Sequence, residues 1–387
     1  MNEQTKTDRM SFFSVSFDLV VLGKELPYEL YVNSSTLKDR ERFVRIHAQG
    51  NPLYLEELKS FQQKYHQLYV LEEQRDSYLR SLIDVKGLPD FKKAEVIKDS
   101  AIVYLNKLFD TEKVFSTEIL NDVISGCRDS VESMVDVIQD YDIGEVQKMI
   151  ADLSFHDFYT YDHSINVSMY CISLFKALNP KATKEDLVMA GLGGLLHDLG
   201  KIQIPTQILN SADGLSDEEF NTIKKHPGFG KELIESGHVQ MPGINFDVIK
   251  RVVYEHHENY NGTGYPNKVK GDDIHLMARI CAIADFFDAI TTKRSYHEAL
   301  TVEDALSIME RSVGRKIDPK LFEIFKSNVN NVVLKGKSNK ELPDSFDPCM
   351  PHKVLPLETV RVKKMDHELF KKEENYGKVK TDKKKVA

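Results

Sequence analysis

The chain has 387 residues, 41% hydrophobic and 29% charged, with 20 glycines and 13 prolines. That is the composition of a soluble globular protein of two or three domains, and it excludes collagen-like, mucin-like and wholly disordered readings. The net charge of −8 is uneven. Arg361–Ala387 carries ten Lys/Arg against five Asp/Glu, which leaves the preceding 360 residues at −13 and argues against broad nucleic-acid binding.

The longest apolar runs, near Leu19–Leu22 and Gly191–Leu196, fall far short of the ~20 residues that span a bilayer. The polar opening MNEQTKTDRM lacks the apolar core of a signal peptide. Cys127, Cys171, Cys281 and Cys349 are far apart and form no CxxC pair, so neither a disulfide scaffold nor a zinc ribbon is expected. These features predict a reducing, cytoplasmic compartment and no membrane partner.

In chain order, residues 1–75 read as a small α+β module. Phe13, Val15, Phe17, Leu19 and Val21 alternate as on a half-buried strand. Glu29–Val32 and Arg42–Ala48 follow as strands, Leu53–Lys64 as a helix, and His66–Leu71 as a last strand. No chemical cluster is visible there, so the expected role is sensing or docking of a protein partner. Over 76–140 the period changes to that of helices: Ile97, Ala101, Tyr104 and Leu108 recur at three- and four-residue steps, as do Ile119, Val123, Val131, Met134 and Ile138. Such linker helices either pair with a second copy, giving a homodimer, or pack within the chain.

Residues 141–328 are predicted to be all-α and hold nine of the thirteen histidines. A tail from 329 to 387 is punctuated by Pro343, Pro348, Pro351 and Pro356. Its basic end, KTDKKKVA, would either meet RNA or an acidic partner or stay solvated.

The helical region concentrates metal-ligand residue types. His163 sits in YTYDHSINVS, His197 and Asp198 in GGLLHDLGKI, His226 in IKKHPGFG, His256 and His257 in VVYEHHENYNGTGYP, and Asp285 in ARICAIADFFDAIT. Five imidazoles and two carboxylates suit Fe, Mn, Zn, Co or Ni and are too nitrogen-rich for Mg or Ca. A single ion takes three or four protein ligands. Seven residues therefore suit two ions that share a bridging carboxylate. Two vicinal doublets at the ends of apolar helices would be buried, and buried imidazoles need partners that a metal supplies.

The ordered series of His197-Asp198 with Gly200-Lys201, His226-Pro227, His256-His257, Gly264-Tyr265-Pro266 and Asp285 resembles the HD phosphohydrolase superfamily, and its HD-GYP branch in particular. GKIQIP, LSDEE and ARICAIADFFDAITTKRSY extend the resemblance over about Ser154–Ser312. It implies an all-helical catalytic domain that hydrolyses cyclic di-GMP, a bacterial second messenger, to pGpG and onward to GMP. One metal would take His163, His197 and Asp285, Asp198 would bridge, and the other would take His226, His256 and His257. Two ions ~3.5–4 Å apart would activate a bridging hydroxide. Lys201, one turn after His197, would act beside Asp198 and meet a phosphate oxygen. Arg294 would clamp phosphate as a fork, and Tyr265 would help hold the dinucleotide.

Three departures qualify this. Tyr159 stands where three-metal members carry Glu, which predicts two metals, with Asp157 and Asp162 close by. Asn261 and Ser295 replace the usual Asp and Pro, which bears on loop shape. His297 replaces a basic residue and would make phosphate contact pH-sensitive. The competing readings are a receptor that binds the dinucleotide without cleaving it, and a hydrolase of another cyclic dinucleotide. The GYP loop is also a candidate docking point for a protein partner.

Overall fold

A computed structural model describes residues 11–35, 42–85, 87–108, 116–153, 159–209, 215–237, 241, 243–292 and 300–329. The chain is mostly helical, with a small antiparallel sheet near its N-terminus. Two compact units divide within one helix, between Val96 and Ile97. Among the described residues no helix is long and apolar enough to cross a membrane.

The first unit contains β1 (Phe12–Val15), β2 (Leu30–Asn33), β3 (Phe43–His47) and β4 (Leu68–Leu71), with α1 (Leu55–Lys64) and α2 (Arg75–Ser81). The sheet order is β1-β4-β2-β3, antiparallel throughout. Val15, Leu30, Leu68 and Val70 are fully buried beneath it with Leu26, Tyr28 and Leu53. The Arg75 guanidinium lies 3.9 Å from the centre of the Phe13 ring and pairs with Glu72 at 2.7 Å, so its burial is compensated on both sides.

The alternation through Val21 predicted a longer first strand than the structure has. β1 ends at Val15, and Phe17–Leu19 forms a 3₁₀ turn, although Leu19, Val20 and Val21 are all buried. The reason lies in the partner strand. β4 has four residues, matched from Phe12↔Leu71 to Val15↔Leu68, so the backbone beyond Val15 meets no ladder and closes its own hydrogen bonds.

The second unit is built from the remainder of α3 (Asp90–Leu108), then α4 (Thr117–Ile138), α5 (Ile143–Asp152), α6 (Tyr159–Leu178), α7 (Lys184–Leu196), α8 (Thr206–Leu209), α9 (Asp217–Ile223), α10 (His226–Ser236), α11 (Phe246–Glu255), α12 (Leu276–Thr291), α13 (Val302–Glu310) and α14 (Pro319–Asn328). Their starts follow local rules: Ser116, Asp142, Thr183, Ser216 and Thr301 each accept a hydrogen bond from a first-turn amide. From Leu187 to Leu196 every residue of α7 is buried except the half-buried Met189, as expected of a helix stretch apolar around its circumference. It is the central rod, with α6, α4, α11 and α12 against it. The apolar stripe of α4, including Val131 and Met134, is buried within this unit.

A buried ion pair also lies inside this core. Lys98 of α3 and Asp162 of α6 are each 1% exposed and pair at 2.7 Å. Removing one member of such a buried pair costs about 3–5 kcal/mol, because the remaining charge has been stripped of water. Lys98→Met is therefore expected to lower unfolding stability by that amount in denaturant titration. A loss below about 1 kcal/mol would show that the pair carries no such burden.

Candidate metal centre

Histidines come to the centre of the second unit by a local device used three times. His197 caps the C-terminus of α7, and its Nδ1–H donates to Gly194 O at 2.7 Å. His226 stands at the seam of α9 and α10, with Nδ1–H donating to Ile223 O at 2.8 Å. His256 caps α11, with Nδ1–H donating to Val253 O at 2.9 Å. In each case the acceptor is a carbonyl three residues back, among the last-turn carbonyls that a helix leaves without partners. A carbonyl only accepts, so Nδ1 carries a proton in each ring, and in His226 and His256, which burial keeps neutral, Nε2 is left with a lone pair.

These lone pairs converge. His226 Nε2 lies 3.2 Å from His256 Nε2. Asp198 lies between two sets of imidazoles: Oδ2 is 3.3 Å from His197 Nε2, and Oδ1 is 3.3 Å from His226 Nε2. Asp198, His226, His256 and His257 each offer a ligand atom within 4.8 Å of one another, and so do His163, His197 and Asp198. Asp198 is common to both groups. Asp285 of α12 reaches the second group through His163, whose Nε2 is 3.0 Å from Asp285 Oδ1. All seven residues are at most 7% exposed.

The electrostatics follow from this burial. Desolvation lowers His226 to about 4 and takes His256 and His257 well below the usual imidazole range, so all three are neutral at pH 7. At Asp198 burial opposes ionisation, yet His197 and Lys201 overcome it and hold the carboxyl well below its ordinary value. His163 is also opposed by burial, but hydrogen bonds to Asp285 and Asp288 raise it to about 10. A bound cation facing His163 Nε2 would take the place of the proton shared with Asp285.

Facing lone pairs test whether the residues fit a metal. Two bare Nε2 atoms at 3.2 Å repel without a cation between or beside them, and Asp198 Oδ1 accepts no hydrogen bond among the described residues. Neutral imidazoles with buried carboxylates are a donor set for divalent transition metals. The residues fit.

Asp288 was not among the residues singled out from the sequence. It is fully buried one turn after Asp285, accepts from His163 Nδ1–H at 2.7 Å, and is itself held by Asn166 at 2.9 Å and Thr292 at 2.7 Å. It orients His163 as an outer carboxylate orients a ligating histidine. The signal was present in DFFDA, where Asp285 and Asp288 share a helix face.

The other expected residues fall as follows. Lys201 lies in the 3₁₀ turn after Asp198 and pairs with its Oδ2 at 2.6 Å; the sequence reading had directed it to a phosphate oxygen. The Tyr265 ring stacks on His257 at 4.8 Å. Asp162, expected near the metals, pairs with Lys98. Tyr159 opens α6. Asp157, Arg294, Ser295 and His297 lie outside the described residues.

A cavity of about 440 Å³ opens beside the centre. His256, His257 and Asp285 line it together with Gly264, Tyr265, Phe220, Phe286, Lys224, Arg315 and Lys316. The loop that carries Tyr265 packs against the His256–His257 doublet: Tyr265 N donates to His257 O at 3.2 Å, and the Tyr265–Pro266 bond is cis. A Cβ on Gly264 would lie 2.2 Å from Asn259 N and 2.5 Å from His257 O, so only glycine permits this approach.

Comparison with known proteins agrees with the motif reading. Residues 145–321 match the HD domain family. The chain is 33% identical over 189 residues to 3'3'-cGAMP-specific phosphodiesterase 3 of Vibrio cholerae, covering 49% of this chain and 39% of that protein. It is 37% identical over 170 residues to cyclic di-GMP phosphodiesterase PA4108 of Pseudomonas aeruginosa, covering 44% and 39%. It is also 37% identical over 138 residues to the cyclic di-GMP phosphodiesterase response regulator RpfG of Xanthomonas campestris, covering 36% and 35%. The chain thus spans about two fifths of the length of these relatives. A solved HDG"Y"P protein from Bdellovibrio bacteriovorus shares the fold, with a TM-score of 0.50 and 20% identity over 83% of this chain and 100% of that one.

Two glycines provide a matched test of the centre. A Cβ on Gly200 would lie 1.9 Å from His226 O, whereas one on Gly228 has no described atom within 4 Å. Gly200→Ala is expected to push His226 out of place and to halve bound metal, or worse, by elemental analysis. Gly228→Ala, inside α10, should retain metal and gain up to about 1 kcal/mol of stability. Equal metal content in the two variants would contradict this account.

Proposed function

Because residues 145–321 match the HD domain family, we propose that the protein is a metal-dependent phosphodiesterase of cyclic dinucleotides, linearising cyclic di-GMP to pGpG and continuing to GMP. The observation that carries this reading is Asp198, whose two oxygens face His197 Nε2 and His226 Nε2, from different groups of imidazoles, at 3.3 Å beside an open cavity. His163, His197 and Asp285 would hold one divalent metal and His226, His256 and His257 a second, with Asp198 shared. Fe or Mn leads this proposal, and Zn, Co and Ni suit the same donors.

When bound, such metals supply a Lewis acid for the phosphoryl oxygens and a nucleophile at neutral pH. The chain's own residues do the rest. Asp288 holds His163 in one orientation, and Lys201 balances the Asp198 carboxylate at 2.6 Å. Tyr265, stacked on His257, offers a flat face beside the reacting phosphate, a suitable surface for a guanine base. The GYP loop keeps this face in register with the ligand doublet. Residues 76–140 would serve as the helical linker between a sensing or docking module at 1–75 and the catalytic domain at 141–328. The reaction would run in the reducing cytoplasm.

Among the relatives, proteins named for 3'3'-cGAMP stand beside those named for cyclic di-GMP, which supports a second reading: the same chemistry on the mixed dinucleotide. Protein prepared anaerobically with Fe(II) or Mn(II) should convert one of the two rings to its linear form in a competition assay. Asp198→Ala should lower kcat by at least about 1,000-fold, as expected when a group acting as part of a unit is lost. Binding of a ring without cleavage under any of the five metals would refute catalysis and favour the receptor reading.

A further inference from the structure

A cyclic dinucleotide carries two phosphodiester charges, one on each side of its ring. Hydrolysis brings one of them to the metal ligands. The other keeps its full negative charge inside the cavity, where an unpaired ion is costly. The described residues around that cavity include three cations: Lys224, Arg315 and Lys316. Lys224 Nζ lies 4.1 Å from the centre of the Phe220 ring and 5.5 Å from that of Tyr265, which places it on the GYP side. Arg315 and Lys316 come from a different element, the turn between α13 and α14.

That turn is fixed by its backbone. Gly314 N donates to Ile317 O at 2.9 Å, and Arg315 N donates to Ser312 O at 3.1 Å. Asp318 caps α14 through the amides of Lys320 and Leu321, and binds Arg279 at 2.6 Å. The turn is also tied to the loop that follows the histidine doublet. Asn261 N donates to Arg315 O at 2.9 Å, and Tyr260 N donates to Lys316 O at 3.2 Å. Two adjacent cations thus sit on a backbone held in register with His256 and His257, at the rim of the same cavity. Arg315 is exposed and Lys316 half-buried, so the pair lines the mouth of the cavity.

Resting on the function proposed above, we propose that Arg315 and Lys316 are specificity-determining residues that clamp the second, uncleaved phosphodiester of the cyclic dinucleotide. The guanidinium supplies a fork for the two free oxygens and the ammonium a point charge beside it. A substrate with a single phosphodiester has no group for them to hold.

The test compares two substrates in the metal-loaded full chain: cyclic di-GMP, and bis(p-nitrophenyl) phosphate, which has one phosphodiester. The double variant Arg315→Ala/Lys316→Ala should raise KM for cyclic di-GMP by at least about tenfold with little change in kcat. It should leave hydrolysis of bis(p-nitrophenyl) phosphate and metal content within about twofold of the wild type. Arg315→Lys/Lys316→Arg should recover most of the loss. Equilibrium binding of cyclic di-GMP to protein stripped with EDTA should weaken in the same order. An unchanged KM, or a parallel fall on both substrates, would overturn the clamp. Should the wild type cleave neither ring, the catalytic proposal fails, while weaker binding of cyclic di-GMP by the double variant would still uphold the clamp. No wild-type binding of cyclic di-GMP would overturn it.

Discussion

Three backbone carbonyls, Gly194 O, Ile223 O and Val253 O, set the chemistry of this centre. Each stands at the last turn of a helix, where it has no amide to pair with. Each instead takes the Nδ1–H of a histidine three residues on. The helix end is thereby satisfied, and Nε2 is aimed away from the helix. Repeated at the ends of α7, α9 and α11, the arrangement gathers ring nitrogens around one carboxylate in a buried space. The facing Nε2 lone pairs of His226 and His256, 3.2 Å apart, repel each other unless a cation lies beside them, which is why the site could hold a metal.

The surrounding fold keeps those three helix ends together. α7 is apolar around its whole circumference and lies buried among four neighbours, so its C-terminal His197 is fixed at the middle of the unit. Gly200 lets the chain leave Asp198 in contact with the His226 carbonyl, where a single methyl group would collide at 1.9 Å. Gly264 does the same for the loop after His257. On the far side, Asp285 and Asp288 of α12 grip both nitrogens of His163. The centre is thus shaped as much by close backbone approach as by its ionisable side chains.

The sequence disclosed which side chains converge, because doublets such as His197-Asp198 and His256-His257, set at the ends of apolar helices, need buried partners. What it hid were partnerships made by topology. Asp288 reads as one more polar residue on α12 until α6 delivers His163 to it, and Asp162 pairs with Lys98, which lies 64 positions earlier. Arg315 and Lys316 look like a basic turn, and only the backbone ladder from Tyr260 and Asn261 brings them to the cavity. In the first unit, alternation named the buried side chains correctly but overran the strand, because a four-residue partner, not the pattern, ends β1 at Val15.

The most direct measurement is anomalous X-ray diffraction from crystals of anaerobically prepared protein loaded with Mn(II) or Fe(II). The account predicts two anomalous peaks per chain, one among His163, His197 and Asp285 and one among His226, His256 and His257, with a carboxylate oxygen of Asp198 on each. A single peak, three peaks, or an Asp198 turned away from both would contradict it.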